Sequence, residues 1–205
     1  MKTIVGLLLV ALIAAWYFMG TGVYNMAATE KHWPITEKLI EWVRINSIAA
    51  RASELEIPAM DDTEIMMTGA THYDAMCTDC HLSPVQASTE LSQGLYPQAP
   101  VFHLRQPLIS PEDLQEQSKA YFWVIKNGIK MTAMPAWGLT HDDHTIWAMA
   151  FFVQRMGNMS ANQYKELTHG SGDHPHTNKH HHEHKHELDI DLELELEHDR
   201  HDEHD

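Results

Sequence analysis

A pair of cysteines followed by a histidine constrains this chain more than any other feature of its sequence. Cys77 and Cys80 are its only cysteines, and His81 completes the motif Cys-Thr-Asp-Cys-His. A disulfide across so short a span would stabilise a fold very little, so a structural bridge is not expected. The spacing instead favours a covalently attached haem c, because two thiols one helical turn apart can each add to a vinyl group on one edge of the macrocycle. The imidazole of His81 then becomes a ligand of the iron.

Two other uses of a Cys-x-x-Cys motif agree less well with the sequence. A zinc site built on it would need two further ligands, and the chain has no other cysteine to supply them. A thioredoxin-like redox site is expected in a βαβ context, and no strand-length alternation occurs before residue 185. We therefore predict one covalent haem, attached through Cys77 and Cys80 and ligated by His81.

The second axial ligand of the iron is predicted to be Met134. Haem iron in an electron carrier commonly takes a methionine sulfur in this position. Met134 lies between two predicted helices, and Pro135 prevents a regular helix from continuing after it. Met131 is the alternative in the same segment, whereas methionines within helices are more typical of core packing. The histidines that could replace a methionine, although no pattern places them near the haem, are His103, His141 and His144.

The N-terminal part of the sequence is long and apolar enough to cross a membrane. Residues 3–24 carry no charge, and this length is close to the ~20 residues that a helix needs to span a bilayer. A cleaved signal peptide would have a shorter apolar core and a small-residue cleavage site, and neither is evident. We expect residues 1–24 to be a retained anchor. Its orientation stays open, because Lys2 and Lys31 give only a weak charge asymmetry.

The remaining periodicity is helical. Between Pro34 and about Leu55, apolar residues recur every three or four positions, which predicts an amphipathic helix that packs on the domain behind it, lies on the membrane surface or docks a partner. Residues 82–109 are rich in proline and read as loop. Further helices are predicted over residues 63–76, from a capping box at Ser110-Pro111-Glu112-Asp113 to Asn127-Gly128, and from His141-Asp142-Asp143 onward.

Several further motifs lie before and after the cysteine motif in the sequence. They are Gly69 with Tyr73, then Gly94-Leu95-Tyr96-Pro97, Asn127-Gly128-Ile129-Lys130, Met134-Pro135-Ala136-Trp137-Gly138, and finally Trp147 with Phe151. In this combination, residues from about 62 to 157 resemble a monohaem class I cytochrome c domain. Together with the anchor, the chain is similar to membrane-bound cytochrome c proteins of Gram-negative bacteria.

The resemblance implies a small all-α fold whose first and last helices cross. Gly69 would let the backbone of the last helix approach, and Tyr73, Trp147 and Phe151 would fill the crossing.

The resemblance also implies how the haem is held. A carbonyl of the proline-rich loop, with Pro97 as the expected source, would accept a hydrogen bond from Nδ1 of His81. Trp137 or Arg105 would donate to a haem propionate.

The C-terminal segment differs sharply from the rest. Between residues 173 and 205, twelve acids and ten histidines accompany only three lysines or arginines, a balance of −9 that leaves −6 of the total −15 for the rest of the chain. Such a composition predicts disorder, and imidazoles beside carboxylates suit copper or zinc. The alternative is a solubilising extension without a metal role. The candidate ligands are His174, His176, His180, His181, His182, His184 and His186.

These observations give an all-α architecture in four parts. We predict a membrane anchor at 1–24, a membrane-proximal amphipathic helix at 25–57, a cytochrome c domain at 58–160 and a disordered tail at 161–205. No basic stripe is present to bind phosphates, so nucleic acid is not an expected partner.

The expected function is electron transfer rather than enzymatic catalysis, since no substrate pocket or acid–base pair is readable. The resemblance implies a haem domain on the periplasmic side of a bacterial inner membrane, with redox proteins as partners. The alternative is a periplasmic copper- or zinc-handling protein whose tail binds the metal and whose haem is a redox accessory.

Overall fold

The computed structural model of the chain describes residues 1–59, 62–108 and 110–169. These residues form helices and loops with no β-strand, which confirms the all-α prediction. The α-helices are α1 Lys2–Gly20, α2 Pro34–Ala52, α3 Asp62–Met76, α4 Thr78–His81, α5 Glu90–Gly94, α6 Pro111–Asn127, α7 Asp143–Arg155 and α8 Ala161–His169. Two short 3-10 helices cover Phe102–Leu104 and Trp137–Leu139.

Helix α1 has the length and composition of a membrane-spanning helix. The helix has 19 residues, and an 18-residue stretch of it has a mean hydropathy of 2.2. None of its residues is buried against the rest of the described chain. At about 1.5 Å per residue such a helix covers most of a bilayer core. It ends at Gly20, four positions before the predicted end of the anchor at residue 24.

Helix α2 packs against α6, as one of the alternatives for this amphipathic segment predicted. The side of α2 that faces the domain is largely polar or small: Arg44, Ser47 and Ile48 are partly covered, and Ala52 is buried. The apolar side chains at helical spacing are instead exposed, at 73% for Ile35, 58% for Leu39 and 65% for Trp42. This helix therefore turns its apolar stripe away from the domain.

The crossing of α3 and α7 forms the centre of the domain. A Cβ atom at Gly69 would lie 2.3 Å from the carbonyl oxygen of Ala148 and 2.7 Å from Cβ of Phe152, so only glycine allows this approach. Tyr73 is fully buried one turn later, with its ring 5.5 Å from that of Phe152. The predicted role of Gly69 is confirmed.

Trp147 and Phe151 occupy a different place from the one predicted. Trp147 stacks on Phe122 of α6, with ring centroids 4.2 Å apart, and Phe151 lies beside Trp147 at 5.6 Å. Both belong to a second apolar cluster between α6 and α7, because their positions on α7 point about a third of a turn away from Phe152. Phe152, rather than these two residues, fills the crossing with Tyr73.

The capping box predicted at the start of α6 is wrong. Ser110 is the N-cap and Pro111 the first helical residue, but the Ser110 side chain makes no capping bond and instead donates to the Glu112 carboxylate at 3.5 Å. A capping box does form at α5, in the segment predicted to be loop. There Thr89 accepts from the Ser92 N–H and Ser92 accepts from the Thr89 N–H, both at 2.9 Å.

The predicted start of the tail at residue 161 is also wrong. Residues 161–169 form α8, and Tyr164 is fully buried against Tyr73 and Phe152. The Tyr164 hydroxyl donates to the Asp74 carboxylate at 2.8 Å. Composition did not reveal this helix because only Tyr164 and the partly buried Leu167 pack it on the core, too few apolar residues to form a visible pattern. The disorder predicted beyond α8 falls on residues 170–205, which lie outside the described residues.

Gly69→Ala is expected to lower the free energy of unfolding by about 1–3 kcal/mol, because the added methyl group meets the backbone of Ala148. Chemical unfolding of the detergent-solubilised chain measures the change. Gly94→Ala is the matched control, since nothing lies within 4 Å of a Cβ there. An equal effect of the two substitutions would contradict the close approach of α3 and α7.

Candidate cofactor site

One cavity brings together the four residues singled out by the sequence. Cys77, Cys80, His81 and Met134 all line it, and its volume is about 1140 Å³ with the open space at its mouth included. The wall is mostly apolar, with side chains from α3, α6, α7 and the two loops between them.

The cysteine motif forms a single helical turn at the end of α3. The Cys77 N–H donates to the Tyr73 carbonyl at 2.9 Å, and the His81 N–H donates to the Cys77 carbonyl at 2.8 Å. Two thiols three positions apart therefore lie about one turn apart on the same side, with the imidazole directly after them. This is the arrangement that the spacing predicted.

Tyr73 fixes the backbone immediately after this turn. Leu82 has a positive φ of 59°, and its carbonyl accepts a hydrogen bond of 2.7 Å from the Tyr73 hydroxyl. Burial raises the pKa of Tyr73, with smaller contributions from Cys77 and Tyr164. The phenol therefore stays protonated and remains a donor across the whole physiological pH range.

Both thiols are protonated at neutral pH. Burial, with a smaller contribution from Cys80, raises the pKa of Cys77 to about 12. The pKa of Cys80 is also raised, mainly by burial and to a smaller extent by the negative charge of Asp79. Reactive Cys-x-x-Cys sites have the opposite property, a lowered thiol pKa.

His81 is held in one orientation by two contacts. Its Nδ1 lies 2.9 Å from the carbonyl oxygen of Pro100, and its ring stacks on Phe102 with centroids 4.7 Å apart. Since a carbonyl only accepts, Nδ1 must carry the proton, and in the neutral ring Nε2 keeps its lone pair for a metal. Burial lowers the pKa of His81, the nearby charge of Arg105 lowers it further, and the bond to Pro100 opposes both.

The expectation that Pro97 supplies this carbonyl is wrong. Pro97 lines the cavity, but Pro100 accepts the bond. Several prolines lie in this loop, and the sequence gives no means of choosing among them, because the choice depends on how the loop folds back over α4.

Met134 lies at the end of a tight loop that folds back on the C-terminus of α6. Gly128 has a φ of +66°, and a Cβ there would lie 2.7 Å from the Met134 carbonyl oxygen, which accepts from the Ile129 N–H at 3.2 Å. The Thr132 hydroxyl donates to the Ile129 carbonyl at 2.8 Å and accepts from the Met134 N–H at 3.1 Å. These bonds fix the backbone on both sides of Met134.

The alternatives to Met134 lie elsewhere. Met131 has a φ of +60° and its side chain is 81% exposed, so it does not line the cavity. Among the residues that the structure describes, the three histidines considered as ligands are also absent from the cavity wall: His103, His141 and His144.

Two arginines line the cavity. Arg105 donates to the Tyr121 hydroxyl at 2.8 Å and lies 5.0 Å above the Phe102 ring. Arg44 reaches the wall from α2, and sequence reasoning did not find it because no local pattern links α2 to the cysteine motif. Sequence reasoning also missed Phe102, Pro100 and Thr132, because their contacts with His81 and Met134 depend on how the loops fold and not on a local pattern.

The residues present fit a covalently attached haem. The cavity offers two thiols on one turn, a neutral imidazole with a fixed ring, a methionine sulfur and an apolar wall with guanidinium groups. The metal site predicted on the C-terminal histidines, from His174 to His186, lies outside the described residues.

Comparison with known proteins agrees with this site. Residues 64–153 match the family model described as cytochrome C oxidase, cbb3-type, subunit III. The matched segment contains the cysteine motif and Met134, and it leaves out α1, α2 and α8. Neither a curated protein nor a solved structure matches the chain.

Thr132→Val is expected to loosen the Met134 loop, because valine has the same shape but makes neither of the two hydrogen bonds. The loss of two partly buried bonds should cost about 1–3 kcal/mol locally and raise amide hydrogen exchange at Met134 by about 5- to 150-fold. Thr140→Val is the control, since the Thr140 hydroxyl bonds are exposed. Unchanged exchange at Met134 in Thr132→Val would contradict the assigned loop structure.

Proposed function

Over residues 64–153 the chain belongs to the monohaem class I cytochrome c family, and from this premise we propose that it is a membrane-tethered electron carrier of the bacterial periplasm. The observation that carries the proposal is the meeting of Cys77, Cys80, His81 and Met134 on one cavity.

Each of these residues has a separate role in the proposal. Cys77 and Cys80 would hold haem c through thioether bonds, and the imidazole of His81 and the sulfur of Met134 would ligate its iron. When bound, the haem supplies an iron that carries one electron by changing its oxidation state. Two protein ligands leave the iron no open position for a substrate, so the proposal includes no enzymatic activity. Redox proteins of a membrane electron-transfer chain are the proposed partners.

Arg105 and Trp137 are proposed to bind the polar edge of the haem. Both line the cavity, and the Arg105 guanidinium is already oriented by Tyr121 and Phe102. A preoriented guanidinium binds a carboxylate with a smaller loss of entropy than a free one does.

The membrane tether is supported by the contacts that follow α1. Phe18 near its end lies 5.7 Å from Trp33, and Tyr24 lies 5.1 Å from Trp33, as ring centroids. Aromatic residues favour the level of the lipid headgroups. The His32 N–H donates to the Tyr96 hydroxyl at 2.9 Å, which connects this segment to the loop beside the cavity.

The exposed apolar stripe of α2 supports a position close to the same membrane. The stripe lies near the start of α2 and consists of Ile35, Leu39 and Trp42. Helix α2 begins directly after Trp33, the residue that contacts Phe18 of α1. An amphipathic helix with an uncovered apolar face is stabilised at a lipid surface. The proposal therefore assigns residues 1–24 to the inner membrane, residues 25–57 to its periplasmic surface and the haem domain to the periplasm.

Met134→Ala is expected to abolish the weak far-red sulfur-to-iron absorption band of the ferric protein, since alanine has no sulfur to offer the iron. It is also expected to lower the reduction potential, because a thioether favours the ferrous state. Met131→Ala is the matched control and should leave both properties unchanged, because Met131 is exposed. Covalently bound pigment should survive acid–organic extraction in all three proteins.

Three results would contradict the proposal in different ways. A far-red band that persists in Met134→Ala would overturn the ligand assignment alone. Tight binding of carbon monoxide to the reduced wild-type protein, without displacement of Met134, would favour a gas sensor or haem enzyme over an electron carrier. A colourless wild-type chain, expressed with haem-maturation machinery, would overturn the whole proposal.

A second function is favoured by the ten histidines and twelve acids of residues 173–205. In this alternative, the tail binds copper or zinc and the haem domain is a redox accessory. Deletion of residues 173–205 should then remove most of the zinc bound at pH 7.5 in equilibrium dialysis and leave the haem spectrum unchanged. Binding by the full chain should weaken strongly below about pH 6, because protonated imidazoles do not ligate metals. Equal zinc binding with and without the tail would contradict this function.

A further inference from the structure

A charged side chain enters the cofactor cavity from outside the family domain. Arg44 belongs to α2, which precedes the matched residues 64–153, yet it lines the same cavity as Cys77 and His81. It reaches this position because α2 packs across α6, whose Tyr121, Val124 and Ile125 form part of the same wall.

The surroundings of Arg44 leave its charge largely uncompensated. Its side chain is 36% exposed, and its ion pair with Glu41 is long, at 3.7 Å, with the Glu41 side chain 55% exposed. A solvated pair of this kind, within one helix, contributes little. The guanidinium therefore keeps most of its capacity to bind another anion.

The charge of the cavity wall points to the same conclusion. Among the described residues that line it, Arg44 and Arg105 are charged at neutral pH, and no Asp, Glu or Lys accompanies them. Both arginines are partly exposed, so each guanidinium can reach an anionic group at the solvent-facing edge of a bound cofactor. Guanidinium groups bind carboxylates with two parallel hydrogen bonds, and a haem has two carboxylates, its propionates.

We propose that Arg44 binds one haem propionate and thereby makes α2 a structural part of the haem site. The inference rests on the proposed function, since it takes the cavity to contain haem c. A cation beside the propionate edge of the haem favours the reduced iron electrostatically. It also keeps the propionate ionised at lower pH. A helix outside the family domain then tunes the reduction potential of the carrier and couples the haem to the segment that follows the membrane anchor.

Redox titration of Arg44→Gln as a function of pH tests this inference in the full-length, haem-loaded chain. Removing the cation should lower the potential at pH 7. The potential decreases with pH as the propionate loses its proton. In Arg44→Gln this decrease should occur at a pH higher by roughly one unit, because a propionate without its partner has a higher pKa. Arg44→Lys keeps the charge and should recover most of both properties.

Arg51→Gln is the matched control. It removes the same charge from the same helix, but Arg51 is exposed, donates to Ser47 and does not line the cavity. Its potential and pH profile should equal those of the wild type.

Two results separate the failure of this inference from the failure of the proposed function. If Arg44→Gln has covalent haem, the far-red band and the same potential and pH profile as Arg51→Gln, Arg44 does not bind a propionate and the electron-carrier proposal stands. If the wild-type chain contains no covalent haem, both are overturned.

Discussion

The close approach of α3 and α7 at Gly69 is the constraint on which the rest of the site depends. Backbone contacts of this kind allow no side chain between the helices, so the position of α3 is fixed relative to α7. The cysteine turn continues directly from α3, and α6, which carries the Met134 loop, packs on α7 through Phe122 and Trp147. The two halves of the cavity wall therefore keep a defined separation.

Backbone hydrogen bonds then orient the proposed ligands within this frame. The Pro100 carbonyl holds the ring of His81, and the hydroxyl of Thr132 together with the Ile129 N–H holds the backbone around Met134. Neither residue depends on a titratable partner for its orientation. The arrangement is accordingly suited to a cofactor whose ligands stay in place while the charge on the iron changes.

The segments outside the family domain are attached to it by specific contacts. Tyr164 anchors α8 in the core next to Tyr73, His32 bonds to Tyr96, and Arg44 enters the cavity from α2. A cytochrome c domain described by residues 64–153 alone would lack all three. Helix α2 is thus connected both to the segment that follows α1 and to the wall of the cavity.

The sequence by itself determined the features that depend on neighbouring residues. The spacing of Cys77, Cys80 and His81 predicts a haem attachment turn, and Pro135 is the local reason to propose Met134 over the other methionines. Helical periodicity predicts the all-α fold that the structure has. Only the tertiary structure decided which proline carbonyl holds His81, that residues 161–169 join the core, and that α2 contributes to the cavity. These features rest on contacts between residues far apart in the chain, and such contacts are set by packing and leave no local pattern in the sequence.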